Sequence, residues 1–67
     1  MTANQYRAAL ARLDLTQTGA AQLVGADPRT SRRWIAGETS IPESVAIILR
    51  LMLRGKISAD DVEQAKR

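Results

Sequence analysis

Residues that start and stop α-helices cut this chain at short intervals, and that punctuation limits it to a few short rods. Thr2 with Gln5 forms a capping-box pattern ahead of Tyr6, Ala9, Leu10 and Leu13, which follow the i, i+3, i+4, i+7 spacing of a buried helical stripe. Asp14-Leu15 interrupts it. Thr16 is placed to cap a second helix from Gln17 to Val24, with Ala20, Ala21 and Val24 facing inward. Gly25 ends that helix, because glycine tolerates the left-handed conformation a helix C-terminus favours. Asp27 caps a third helix, and Pro28 suits its first position, where the backbone N–H has no partner in any case. This helix reaches about Ile35 and stops near Gly37. The loop Glu38-Thr39-Ser40 leads to Pro42-Glu43, which open a fourth helix to about Arg54, closed by Gly55. Ser58 with Asp61 repeats the capping-box pattern, with Ile57 and Val62 as its hydrophobic staple. Beyond that pair only Ala59 and Ala65 are apolar, so the final helix is expected to be marginal and to fray. Period-2 alternation persists nowhere, and the fold class expected is all-α.

With 67 residues there is room for one core. Residues 1–67 are read as a single domain with its core over about 5–54 and a marginal helix over 57–67. Such a core supplies only a few kcal/mol. Cysteine and histidine are both absent, which excludes disulfides, thiolate chemistry, zinc fingers and histidine general bases. No nucleophile–base pair, metal cluster or phosphate loop is present, and Asp60-Asp61 reads as helix-cap chemistry. Catalysis, a cofactor, a metal and a small-molecule substrate are therefore not expected. Residues Met1 to Ala11 lack a signal peptide's apolar stretch, and the run Val45 to Leu53 is short and broken by Arg50. No membrane association is expected; a thiol-free chain of this kind fits the cytoplasm. The net charge is +3 and the pI about 10.2, a mild excess whose meaning depends on where the charges sit.

Three of the ten basic residues sit together on the third helix. At about 100° per residue, Arg29, Arg32 and Arg33 fall within roughly 40–100° of one another. Trp34 and Ile35 occupy the opposite half of the wheel, flanking Ser31. One side is thus three guanidinium groups and the other an apolar anchor, so Trp34 reads as core rather than as a platform for stacked bases. B-DNA's major groove admits an α-helix, and arginine's planar fork matches guanine O6 and N7. A helix of this kind after a short glycine-containing turn puts Arg29, Thr30 and Arg33 nearest base edges and Arg32 nearer a phosphate. Gln17, at the start of the second helix, is placed for a phosphate oxygen. Thr39 and Ser40, just past the third helix, read equally as backbone donors or as loop and capping residues.

The stretch Leu15-Thr16-Gln17, then Ala21, Gly25, and Pro28-Arg29-Thr30-Ser31-Arg32-Arg33-Trp34 with Gly37, resembles the phage-repressor/Cro-like (XRE) helix-turn-helix family over roughly residues 5–54. The resemblance implies a compact five-helix bundle of the lambda-repressor-like DNA-binding type, with helices 2 and 3 as the helix-turn-helix. It implies a transcriptional regulator of bacterial or phage origin, acting on double-stranded DNA at the nucleoid and usually as a homodimer. Carried over by position, the family's DNA contacts fall on Gln17, Pro28, Arg29, Thr30, Arg32 and Arg33. Three departures stand out. Ser31 replaces an aliphatic core residue, Gly19 lies inside a helix at about 1 kcal/mol relative to Ala, and Pro28 replaces a polar base-reading side chain.

The fourth helix is apolar nearly all round. Val45, Ile48, Leu49 and Met52 form one stripe, Ile47 and Leu51 lie on another side, and Leu53 points towards a third. Two readings stand together: the last helix folds over Ile47 and Leu51 through Val62 and Ala65, or Ile47, Leu51 and Leu53 belong to a two-fold dimer interface. The rival to DNA binding is a small helical protein-interaction module, antitoxin-like or an adaptor, that uses this helix. RNA fits less well, because the deep, narrow major groove of A-form RNA excludes a helix.

Overall fold

In a computed structural model, residues 1–66 are described, and Arg67 lies outside the described residues. They form five helices and, among the described residues, no strand: α1 (Ala3–Arg12), α2 (Gln17–Leu23), α3 (Pro28–Ala36), α4 (Glu43–Leu53) and α5 (Ala59–Ala65). Four of the five begin on a side-chain cap. Thr2 and Gln5 form a reciprocal capping box, Thr16 Oγ1 accepts from the Gly19 N–H at 2.9 Å, Asp27 accepts from the Arg29 N–H at 2.8 Å, and Ser58 with Asp61 forms the second box. Only α4 starts without one, at Pro42.

The helix ends share one device. Asp14, Gly25, Gly37 and Gly55 all have φ between 56° and 75°. The following N–H reaches back to a carbonyl five residues earlier: Leu15 to Leu10, Ala26 to Ala21, Glu38 to Arg33 and Lys56 to Leu51, at 2.8–3.0 Å. This closure satisfies carbonyls that the helix leaves open and reverses the chain. Asp14 is the one member of the set that is not glycine, and aspartate is among the few residues that tolerate this conformation.

The radius of gyration is 10.9 Å, the value for a compact chain of this length, about 10.9 Å. Helix α3 packs against both α1 and α2, α1 also against α4, and α5 against α2. The core gathers Tyr6, Leu10, Ala20, Leu23, Trp34, Val45, Leu49, Met52 and Val62 from all five helices. Gly19 has a local reason to lack a side chain, since a Cβ there would lie 3.0 Å from Thr16 Oγ1, the atom that caps the helix.

Three inner surfaces differ from the wheel arithmetic. In α2 the buried residues are Ala20, Ala21 and Leu23, while Val24 is half-buried. The helix ends at Leu23, so Val24 is already the C-cap and leaves the stripe. In α4 the buried stripe is Val45, Ala46, Leu49 and Met52, with Ile48 half-buried. The helix is rotated so that a fully enclosed alanine meets its neighbours, and small residues permit that close approach. Helix α5 does not cover the far side of α4. Val62 joins the core, but the helix leans on α2, Ala65 is exposed, and Ile47 stays 48% exposed. The Lys66 ammonium donates to the Gln22 carbonyl and fixes α5 on that side. Among the described residues, no helix is long and apolar enough to cross a membrane.

Candidate nucleic-acid interface

The inward side of α3 is built around Trp34 and Ser31, 3% and 0% exposed. The Trp34 and Tyr6 rings meet edge to face, with centroids 5.6 Å apart and planes at 84°. That geometry brings the positive edge of one ring to the negative face of the other, adding about 0.5–1.5 kcal/mol to the burial itself. Tyr6 Oη and Ser31 Oγ share a hydrogen bond of 2.8 Å, so the polar atoms that enter the core satisfy each other. Ser31 thus has a definite partner inside the core. Burial pushes the Tyr6 phenol above its ordinary value of 10.0, and the hydrogen bond from Ser31 partly opposes that rise.

The outward side carries the charge. Pro28, Arg29, Arg32 and Arg33 are exposed, and Thr30 is half-buried. Arg29, Arg32 and Arg33 line one shallow concavity of about 300 Å³ with Ala36 and Glu38. Among the described residues none of the three is ion-paired; the pairs formed there are Arg50–Glu43 at 3.4 Å and Lys66–Glu63 at 3.3 Å. The guanidinium groups are therefore solvated charges with all their donors available.

The remaining candidates lie around this patch rather than in it. Gln17 is the first residue of α2 and exposed. It lines a separate hollow with Arg7, Leu15, Thr16 and Ile35. Thr39 and Ser40 are exposed in the loop after α3 and line a third, with Trp34, Glu38, Ile41 and residues 1–3. Two residues of this surface escaped the sequence reading. The Arg7 Nη2 donates to the Ile35 carbonyl at 2.9 Å and ties α1 to the last turn of α3. A contact across 28 residues leaves no local trace in the sequence. Glu38 is brought beside the arginines by the left-handed Gly37, and this could have been read from the glycine that stops α3.

The three residues marked for a dimer interface are not equivalent. Ile47 is the exposed one. Leu51 and Leu53 are half-buried, and Leu53 lines a hollow against α1 with Met1, Gln5, Arg12 and Arg50. None of the three belongs to the core cluster. No protein-family model matches this chain, and no curated protein or solved structure does either.

Proposed function

We propose that this chain is a sequence-specific double-stranded DNA-binding protein of the phage-repressor/Cro-like type, regulating transcription with α2 and α3 as its helix-turn-helix. The observation that carries the reading is the division of α3. Trp34 and Ser31 are buried on one side, while Arg29, Arg32 and Arg33 stand exposed on the other, with no internal ion pair among the described residues. The anchor sets the rotation of the helix, and the rotation aims the charges. An α-helix with its side chains is about 10–12 Å across, and the major groove is about 12 Å wide.

In this reading α3 enters the major groove by its N-terminal end. Arg29 and Arg33 bond guanine O6 and N7, Thr30 completes the base-facing set, and Pro28, with no donor, offers only van der Waals contact. Arg32, Gln17, Thr39 and Ser40 contact the phosphate backbone and fix the register. Two copies joined through the Ile47 side of α4, with Leu51 and Leu53 at its margin, would present two such heads to half-sites about 34 Å apart. Nothing in this scheme calls for a cofactor or a catalytic group, and the chain acts by occupying DNA, from the cytoplasm of a bacterial or phage-infected cell.

Selection of bound duplexes from a random pool, followed by gel-shift titration across salt, tests the proposal. Enrichment of a site containing G·C steps, and affinity falling linearly in log–log salt, are the expected results. A pool that stays random, with no retardation of any duplex at low salt, overturns it. The exposed Ile47 favours the second reading, an interaction module for another protein, which that outcome would promote.

A further inference from the structure

We propose that Glu38 is an affinity-setting residue of the arginine surface: a carboxylate held where duplex phosphates must approach, which restrains binding that depends on charge alone. The inference rests on the DNA-binding reading above.

Glu38 does not reach this place by chance of a flexible loop. Gly37 adopts φ 75° at the end of α3, and the Glu38 N–H donates to the Arg33 carbonyl at 2.9 Å. That closure fastens the Glu38 backbone to the turn that carries Arg33, the residue argued above to read a base. Glu38 then lines the concavity formed by Arg29, Arg32 and Arg33. It also lines the neighbouring hollow of Thr39 and Ser40. Between these two sets of lining residues, Glu38 is the only one in common. It therefore stands between the arginines and the two hydroxyls offered to the backbone.

The carboxylate forms no ion pair with these arginines among the described residues. It is not consumed in organising them, and it makes no side-chain hydrogen bond there that would give it a structural task. Its effect is electrostatic. Three positive charges and one negative share a small surface, so an incoming phosphate meets a weaker local field than three arginines alone would set up. A surface charge changes such an interaction modestly in water and by more where solvent is partly excluded. Repulsion between a carboxylate and phosphate is indifferent to base identity. It lowers binding to any duplex, and it leaves the preference conferred by arginine–guanine contacts as it was.

The experiment compares wild type with Glu38→Gln and Glu38→Lys on a random-sequence duplex and on the duplex enriched by selection, each at several salt concentrations. Glu38→Gln is expected to bind the random duplex roughly three- to tenfold more tightly at low salt, with the gap narrowing as salt screens it. Glu38→Lys extends the gain and steepens the salt slope by about one phosphate contact. The bases enriched by selection should stay the same. Thermal melts without DNA should match wild type, since the residue is exposed. Equal affinity of wild type and Glu38→Gln on the random duplex at low salt overturns the inference while leaving DNA binding intact. A changed base preference also overturns it, by making Glu38 a reader. If no variant retards any duplex, the DNA-binding reading falls and this inference falls with it.

Discussion

Helices α3 and α4 are both short, both amphipathic in part and both packed on α1, yet their sequences determine their surroundings to very different degrees. In α3 the two sides differ as much as side chains can, arginine against tryptophan. A rotation of 100° would bury a guanidinium group and expose an indole, at a cost of several kcal/mol. Only one orientation is available. In α4 apolar residues stand on nearly every side, so rotation by one position exchanges one aliphatic group for another. The orientation is then decided by fit, and Ala46 rather than Ile48 goes inward. A hydrophobic sequence says that a helix is covered; it takes a polar side to say where.

The sharpest way to break this contrast is to remove what orients α3. Trp34→Ala should cost about 3–5 kcal/mol, comparable to the whole stability of a domain this small. Loss of the cooperative thermal transition in far-ultraviolet circular dichroism is the expected result; a melt within a few degrees of wild type would deny Trp34 its anchoring role. The Tyr6–Ser31 pair comes next. Tyr6→Phe leaves the buried Ser31 hydroxyl without its partner, and about 1–3 kcal/mol should be lost. Adding Ser31→Ala should cost less than the two single changes summed, because the second change then removes an orphan. The phenol supplies a pH test as well. Its folded value is raised by burial above 10.0, so the folded state keeps its proton where the unfolded state has lost it. Its contribution is complete below about pH 10 and declines as pH rises through the folded value. Because the chain has one tyrosine, phenolate absorbance reports this group directly. A midpoint at or below 10 would contradict its burial.

Much of the architecture was legible because it is local. Caps at Thr2, Thr16, Asp27 and Ser58 lie within three residues of what they cap, and the terminators Gly25, Gly37 and Gly55 act on the turn beside them. The division of α3 was legible for the same reason, through angle alone. What stayed hidden depends on approach across the fold. The partner of Ser31 is 25 residues away, the Arg7 bond to Ile35 spans 28, and the side on which α5 docks follows from shape rather than period. The candidate surface divides along the same line. Its arginines come from one helix and could be placed together, whereas Gln17, Thr39 and Ser40 border other hollows.

Within α3, the exposed positions should separate by function without touching the fold. Arg29→Ala or Arg33→Ala should lose about 1–3 kcal/mol on the preferred duplex and relax selection at one base pair. Arg32→Ala should weaken all duplexes alike and reduce the salt slope by about one. Their melting curves should match wild type, because each side chain is exposed and unpaired among the described residues. Equal losses on random and selected DNA for Arg33→Ala would remove it from the base-reading set.

A small effect on the fold is expected at Ile47, and it bears most directly on α4. Ile47 is 48% exposed, and the ion pair between Glu43 and Arg50 beside it is itself solvated. Exposed pairs of that kind contribute about 0–1 kcal/mol. Replacing Ile47 by Ser should therefore change the stability of the isolated chain by no more than about 0.5 kcal/mol. If this side of α4 joins two copies, the same change should weaken self-association in sedimentation, and tight binding to a duplex with two half-sites should suffer while binding to one half-site does not. A destabilisation above 1 kcal/mol that is independent of protein concentration would mean that the chain covers Ile47 with its own residues. That result would also undo the contrast with α3, because α4 would then have a single orientation enforced by burial on every side.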